Sequence, residues 1–440
     1  MALPALLLAS CATYAPVPLG GADDLLAPPS LALLSADAKI IDRPFLTPTT
    51  IDFAAPLDGN AVAVLAVLNN PDLKAMRARA GVKSAQAFAA GLLPDPSISA
   101  GFDHILSGPD PVDNLAAAFG FDLNALRTRH VLVRQARAEE RQVRLDLAWA
   151  EWQKANDART QAVRASALER QFDLLRQSRA SAQSLLSRTL DAAGRGDYAA
   201  DKVQAARQAA FDITQRYQTA EADLAAARYE LTRLLGLPPE FPLQLAPPPP
   251  PTSLPPAATL FTLALERRTD LAALKAGYAA QEAATRKAVL DQFPNLTVTA
   301  NASRDTGNNK LLGPAIDLSL PLWNRNRGGI AIERATREAL RAEYDARIFQ
   351  TRAEIAAARE AVNIAEKQRL AVLDGLPALE RFAAATRRAA NRGDLALATA
   401  ETAEQAYRDQ QLLLAQTEQQ IAENMIMLEQ FSGAPRETWP

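Results

Sequence analysis

The chain has 440 residues, a formal net charge of -2, 6% aromatic residues and one cysteine. A near-neutral balance excludes bulk electrostatic attraction to nucleic acid, and a lone cysteine excludes an internal disulfide. Abundant alanine, leucine, arginine, glutamate and glutamine point to long helices packed at close range, with charges on solvated faces.

In chain order, Met1 to Ala9 is an apolar run ending in Leu8-Ala9-Ser10-Cys11. This tetrapeptide resembles a bacterial lipobox, although no lysine or arginine precedes the run. Residues 1–10 are therefore expected to be a lipoprotein-type signal segment and Cys11 the lipidation site; an ordinary tail cysteine is the alternative. Ala12 follows, without the aspartate of an inner-membrane retention signal. Residues 11–59, rich in proline and poor in periodicity, read as an extended segment over the folded part. An alanine-rich helical pattern then runs from Asn60 to Leu92, broken near Asn70-Pro71 and closed by Pro94.

Alternation follows. Ser97 to Phe102 and Leu115 to Asn124 set larger apolar residues against small or polar ones, a period of two. Strands are expected at about 97–105 and 115–124, with a loop at 107–114. The pattern is clearer later: Leu296, Val298, Ala300 and Ala302 alternate with Asn295, Thr297, Thr299 and Asn301, and Ile316, Leu318 and Leu320 alternate with Asp317 and Ser319. These predict strands at about 295–304 and 314–322. A soluble half-buried sheet would show the same period, but each segment also has the length of a tilted membrane strand. Four strands cannot close a barrel, so strands that span must be shared between chains.

Each strand pair leads into a long helical pattern, from about Leu126 to Ala193 and from about Ile330 to Ala390. Roughly sixty residues extend about 90 Å, far beyond a globular core. Apolar residues recur by sevens, as at Ala136, Val143 and Ala150, then Leu168, Leu175, Ala182 and Thr189. Pro377 is expected to kink the second helix. Both patterns end in a turn, Arg195-Gly196-Asp197 and Arg392-Gly393-Asp394. At the spacing that relates these turns, Val203, Ala210, Tyr217, Leu224 and Leu231 fall on Ala400, Tyr407, Leu414, Ile421 and Leu428, both sets stepping by seven. The return helices stop at Gly236 and Gly433. One unit is used twice.

The divisions that follow are residues 60–237 for the first repeat, turning at 194–197, and 258–434 for the second, turning at 391–394. A proline-rich linker at 238–257 separates them and a tail, 435–440, ends the chain. The fold class is mainly α with a small β part: two tandem repeats of strand pair plus long coiled-coil hairpin.

Asn70-Pro71-Asp72-Leu73 opening the first repeat, Pro94 and Pro294 entering the strands, Leu320-Pro321-Leu322-Trp323-Asn324 leaving the last strand, and the two helical turns resemble the TolC-like outer-membrane efflux proteins over about Ala61 to Gly433. The resemblance implies a homotrimer with a shared 12-stranded outer-membrane barrel above a periplasmic α-helical barrel. It implies passive conduction, driven by an inner-membrane pump through a periplasmic adaptor. The helical tips Arg195, Gly196, Asp197, Arg392, Gly393 and Asp394 would dock that adaptor, and Asp197 and Asp394 would form a cation-attracting gate ring. Family tips commonly carry an aliphatic residue where Arg195 and Arg392 stand. The local alternative makes these aspartates helix N-caps and the glycines C-caps.

No phosphate-binding glycine loop, nucleophile elbow or carboxylate pair stands in context, and His104 and His130 do not pair by spacing, so neither an enzyme nor a cofactor is expected beyond a covalent lipid on Cys11. The rival reading is a lipid-anchored periplasmic adaptor or scaffold without a pore. Such an adaptor would insert one hairpin in a β-rich domain, whereas here each of two hairpins follows its own strands. Trp149 and Trp152 read as packing residues, Trp323 as part of an aromatic belt.

Overall fold

The computed structural model describes residues 14–110, 112–250 and 253–440. Helices α1 (Ala22–Leu25) and α2 (Leu31–Lys39) precede the first repeat. That repeat comprises α3 (Gly59–Asn69), α4 (Pro71–Gly91), β1 (Ser97–Asp103), β2 (Asn114–Asp122), α5 (Leu123–Gly194) and α6 (Ala200–Leu235). The second comprises α7 (Ala257–Arg267), α8 (Thr269–Leu290), β3 (Asn295–Arg304), β4 (Lys310–Ser319), α9 (Arg327–Asn391) and α10 (Leu397–Ser432), before a 3-10 turn at Arg436–Thr438.

Local chemistry explains the boundaries. Asp58 accepts from the Ala61 amide at 2.7 Å and starts α3; Asn70 accepts from Leu73 at 3.2 Å and, with Pro71 in the first turn, starts α4. Asp122 accepts from Asn124 and Ala125, so α5 begins as soon as β2 ends. Its 72 residues extend about 108 Å. The return helices α6 and α10 each have 36 residues and end on Gly236 and Gly433 at φ 63 and 71, where a left-handed residue is needed.

The hydrophobic centre surrounds α3, whose residues from Ala61 to Val67 are buried on every side by α2, α5 and α6 and by Leu57, Leu237 and Leu245. Away from it the long helices pack side by side. α5 lies against α4 and α6 and against α8 and α10; α9 in turn packs on α8 and α10. Small clusters such as Leu175, Ala220 and Leu412 join these helices, and the heptad residues Ala210, Leu224, Leu231, Ile421 and Leu428 are buried. No helix among the described residues is long and apolar enough to cross a membrane.

The four strands form one antiparallel sheet in the order β1-β2-β3-β4. Their ends differ from the expected ones. β1 stops at Asp103, because His104 turns away to meet Asp113, so His104 is a loop residue rather than a strand residue. β2 stops at Asp122, which caps α5 instead. β4 begins at Lys310, opposite Arg304, since the intervening loop is tightened by Asp305 and Asn309; it ends at Ser319, before Pro321.

One further expectation needs correction. The segment before α3 is not wholly extended: Ser30 caps α2, which buries Leu34 and Ala38, a helix too short to show a period. Pro377 lies inside α9, which is helical from Arg327 to Asn391. The proline-rich linker is tied down at one point, where Leu57 bridges Leu245 and exchanges backbone hydrogen bonds with Gln244 and Ala246.

Candidate functional site

The sheet has two chemically distinct faces, which the register fixes. Ile98, Ala100 and Phe102 on β1 align with Phe119, Ala117 and Leu115 on β2, which align with Ala300, Ala302 and Arg304 on β3. Val298 and Leu296 then pair with Ile316 and Leu318 on β4. All but Arg304 are apolar. The opposite face carries Ser97, Ser99, Asp103, Asn114, Thr297, Thr299, Asn301, Ser303, Asp317 and Ser319, interleaved with alanine, glycine and one larger apolar residue, Leu311. Gly120 fits here because a Cβ would stand 2.6 Å from the Ser97 hydroxyl.

Neither face is covered by the described residues. Ile98, Phe102, Phe119, Leu312, Ile316 and Leu318 are exposed, as is Trp323 (92%), just beyond the last strand. β1 and β4 are edge strands with unpaired backbone groups on their outer sides. The helical wall is likewise open at both ends: Ile332, Phe349 and Phe382 on α9, and Val82, Phe88, Phe211 and Tyr229 on α4 and α6, are exposed.

The two helical turns share one geometry. The Gly196 amide donates to Ala193 and the Asp197 amide to Ala192; Gly393 donates to Ala390 and Asp394 to Ala389. This bond pair, with glycine at φ 84 or 83, is the Schellman stop of α5 and α9. The aspartates are therefore not N-caps. Ala199 and Ala396 occupy those positions, while each carboxylate pairs with its own arginine: Arg195 Nε reaches Asp197 at 3.2 Å and Arg392 Nε reaches Asp394 at 2.8 Å. Both pairs are exposed, and a Cβ on either glycine would meet nothing within 4 Å. Among the described residues no hydrogen bond or ion pair joins one turn to the other. Cys11 lies outside the described residues.

The roots of the hairpins carry polar residues of which the sequence reading singles out only Asn70, within Asn70-Pro71-Asp72-Leu73. At the first, Asn69 donates to the carbonyls of Leu235 and Gly236, and Asn70 to that of Leu234. At the second, the buried Arg268 (2% exposed) donates to the Phe431 carbonyl, pairs with Asp270 and Glu354, and stacks 4.7 Å over Trp149. Burial pushes the Asp270 carboxyl up, but hydrogen bonds from Arg268 and Arg347 hold it below the usual range. Glu429, fully buried, is held by Arg159 and Arg436, and Glu151 by Arg43 and Arg77. A signal existed for Arg268, because Asn70-Pro71-Asp72-Leu73 returns in the second repeat as Arg268-Thr269-Asp270-Leu271. Trp152 packs edge-on against Phe45 and donates to the Gln430 carbonyl.

Residues 260–434 match the family model of the outer membrane efflux protein. No curated protein sequence matches the chain. Among solved structures, CusC superposes with a TM-score of 0.70 at 16% identity, covering 93% of this chain and 100% of that one. The outer membrane channel CmeC of Campylobacter jejuni gives 0.72 at 14% identity, covering 90% and 91%. The outer membrane protein VceC of Vibrio cholerae gives 0.69 at 16% identity, covering 86% and 96%. At such identities the likeness is one of fold, and it extends over both repeats. The second repeat is thus similar to the outer membrane efflux protein family, and the chain as a whole has the fold of the outer-membrane channels CusC and CmeC.

Proposed function

We propose that three copies of this chain assemble into an outer-membrane efflux channel. The observation that carries the reading is the sheet, which has one apolar face, one polar face, two open edges and, among the described residues, no cover for any of them. An open edge and an apolar face are both costly in water, and an open edge is excluded from lipid. Closure with other copies removes all three problems at once. β4 and β1 run in opposite directions, so each seam continues the antiparallel pattern. Two copies would close eight strands around an interior filled by side chains, whereas three give about twelve strands and an aqueous path. The exposed apolar residues of α9 would cover those of a neighbour's α4 and α6, completing a periplasmic helical barrel.

In this assembly conduction is passive. The polar sheet face lines the exit, the apolar face meets outer-membrane lipid, and the helical turns lie at the far end of the tunnel. There Arg195, Gly196, Asp197, Arg392, Gly393 and Asp394 would dock a periplasmic adaptor joined to an inner-membrane pump. The absence of a side chain at Gly196 and Gly393 lets a partner's backbone approach closely. Asp197 and Asp394 would supply the ring of carboxylates at the mouth, each carrying its own arginine. Asp197→Asn with Asp394→Asn lowers cation preference in single-channel recordings if that ring acts; unchanged selectivity leaves these residues only their part in the turn. Cys11 would carry diacyl and N-acyl chains as a membrane anchor, read out as labelled palmitate that Cys11→Ser abolishes.

The deciding measurement is native mass in detergent extracts of outer-membrane fractions. A heat-sensitive species of three 47.3 kDa chains is expected. A soluble monomer overturns the channel and returns the strands to the rival, a lipid-anchored scaffold without a pore.

A further inference from the structure

One row of the apolar sheet face breaks its pattern. At the loop end of the sheet the register sets Phe102, Leu115, Arg304 and Lys310 side by side across all four strands. Arg304 and Lys310 are direct cross-strand partners. Like charges so placed destabilise a strand pair, and a cation on a lipid-facing barrel surface is tolerated only near the interface. Yet among the described residues nothing neutralises them. Arg304 Nε donates to the Asn308 side chain at 2.8 Å, and among the described residues neither its terminal nitrogens nor the Lys310 ammonium has a side-chain acceptor. Asp305, the nearest carboxylate in sequence, is occupied by the Asn309 amide and side chain.

The position of the pair is also telling. The next row, Ala100, Ala117, Ala302 and Leu312, is wholly apolar, and Trp323 marks the other end of the face. Along β3 the band from Leu296 to Arg304 is about 27 Å long at the ordinary strand rise, or roughly 21 Å in height at a strand tilt of about 40°, just under the ~25 Å apolar band of a membrane barrel. The two cations therefore stand where the far leaflet's headgroups would begin. In the first hairpin the corresponding charge, Asp103, points to the polar face and is satisfied by Asn114 at 2.9 Å.

We propose that Arg304 and Lys310 bind the phosphate of a lipid in the outer leaflet, with its acyl chains lying on the apolar rows below. A planar guanidinium fork beside an ammonium suits a phosphate monoester, and the anion relieves the repulsion between the cations. The neighbouring Ala302 and Leu312 select a lipid over free phosphate, because only a lipid gains from covering them. This inference rests on the barrel reading, since a soluble sheet would present the pair to water.

The test is native mass spectrometry of the detergent-extracted full chain with lipid A, either carrying its phosphates or enzymatically dephosphorylated. The wild-type trimer should retain the phosphorylated form about ten-fold more tightly, as expected for two or more charge-assisted hydrogen bonds partly offset by hydration. Arg304→Gln with Lys310→Gln should abolish that preference and leave the trimer intact. A wild-type trimer that binds both forms alike, or a double variant that keeps the preference, overturns the site alone. A chain that yields no membrane-extracted trimer overturns the channel reading and this inference with it.

Discussion

The two hairpins of this chain are alike in backbone and unlike in what holds their roots. α6 and α10 have the same length, stop on glycines of the same hand and follow tips with the same hydrogen bonds. At the root, however, the first repeat caps its return helix with the neutral amides of Asn69 and Asn70, and the second uses the buried charge of Arg268. The Leu234 and Phe431 carbonyls they serve are equivalent positions. Backbone geometry fixes where a donor is needed, and any donor that satisfies a C-terminal carbonyl will serve. A guanidinium suits the negative end of a helix, but its burial then requires Asp270, Glu354 and the face of Trp149.

Removing the two donors separates these solutions most sharply. Arg268→Ala leaves the Phe431 carbonyl beside a buried gap and takes one of two arginines from Asp270 and Glu354, which keep Arg347, and is expected to cost about 3 kcal/mol. Asn70→Ala removes one neutral cap bond and one N-cap, for about 1–2 kcal/mol. Denaturant unfolding of the two variants checks the ranking; equal losses would show that the charge cluster adds nothing beyond its hydrogen bond. The cluster also has a pH signature. The Asp270 pKa is depressed, so its contribution is present above the ordinary carboxylate range and is lost as pH falls through the lowered value.

Glycines extend the comparison at intermediate cost. At Gly236 a Cβ would stand 2.5 Å from the backbone oxygen of Asn69, which cannot move aside; at Gly433 it would stand 2.8 Å from Cγ of Arg268. With left-handed strain added, Gly236→Ala is expected to cost about 2–3 kcal/mol, and Gly433→Ala somewhat less. The tip glycines are open, so Gly196→Ala and Gly393→Ala carry only the conformational penalty, about 1 kcal/mol each. Thermal unfolding of the four variants should give that order, with the tip pair indistinguishable.

The duplication made much of this readable in advance. A single spacing relates the tips, the heptad residues and the terminal glycines, and the return helices begin and end in that same register. The first long helix announces itself by the absence of proline and glycine over many turns, and the strands by alternation that suits two opposed faces. What stayed hidden depends on partners distant in sequence. The repeat marks the position of Arg268, but its neighbours in sequence do not name Phe431 and Trp149 as its partners, and nothing near Glu429 shows that Arg159 will reach it. The aspartates of the tips misled for the opposite reason: an aspartate three residues before a helix resembles a cap, but the Schellman turn places its carboxylate beside the preceding arginine. The strand ends shifted because loop side chains, Asp113 for β1 and Asp305 for β4, decide where pairing stops.

The last difference between the hairpins lies near the tips and is the smallest in energy. In the second, Arg387 reaches across from α9 to Glu401 and Glu404 on α10, and Arg408 completes the group. Equivalent positions in the first are Leu190, Gln204, Arg207 and Phe211, which cannot form it. Hydrogen bonding to Arg387 holds the Glu404 carboxyl below its ordinary value. The sign follows: this clamp is complete above the ordinary carboxylate range and is lost as pH falls through the depressed value. Its members are partly exposed, so its worth is about 1 kcal/mol or less. Spin labels placed across each tip should give distance distributions that broaden with acid in the second hairpin only. Glu404→Gln should produce that broadening at neutral pH, and identical acid responses in both hairpins would remove the clamp from the account of how the tips differ.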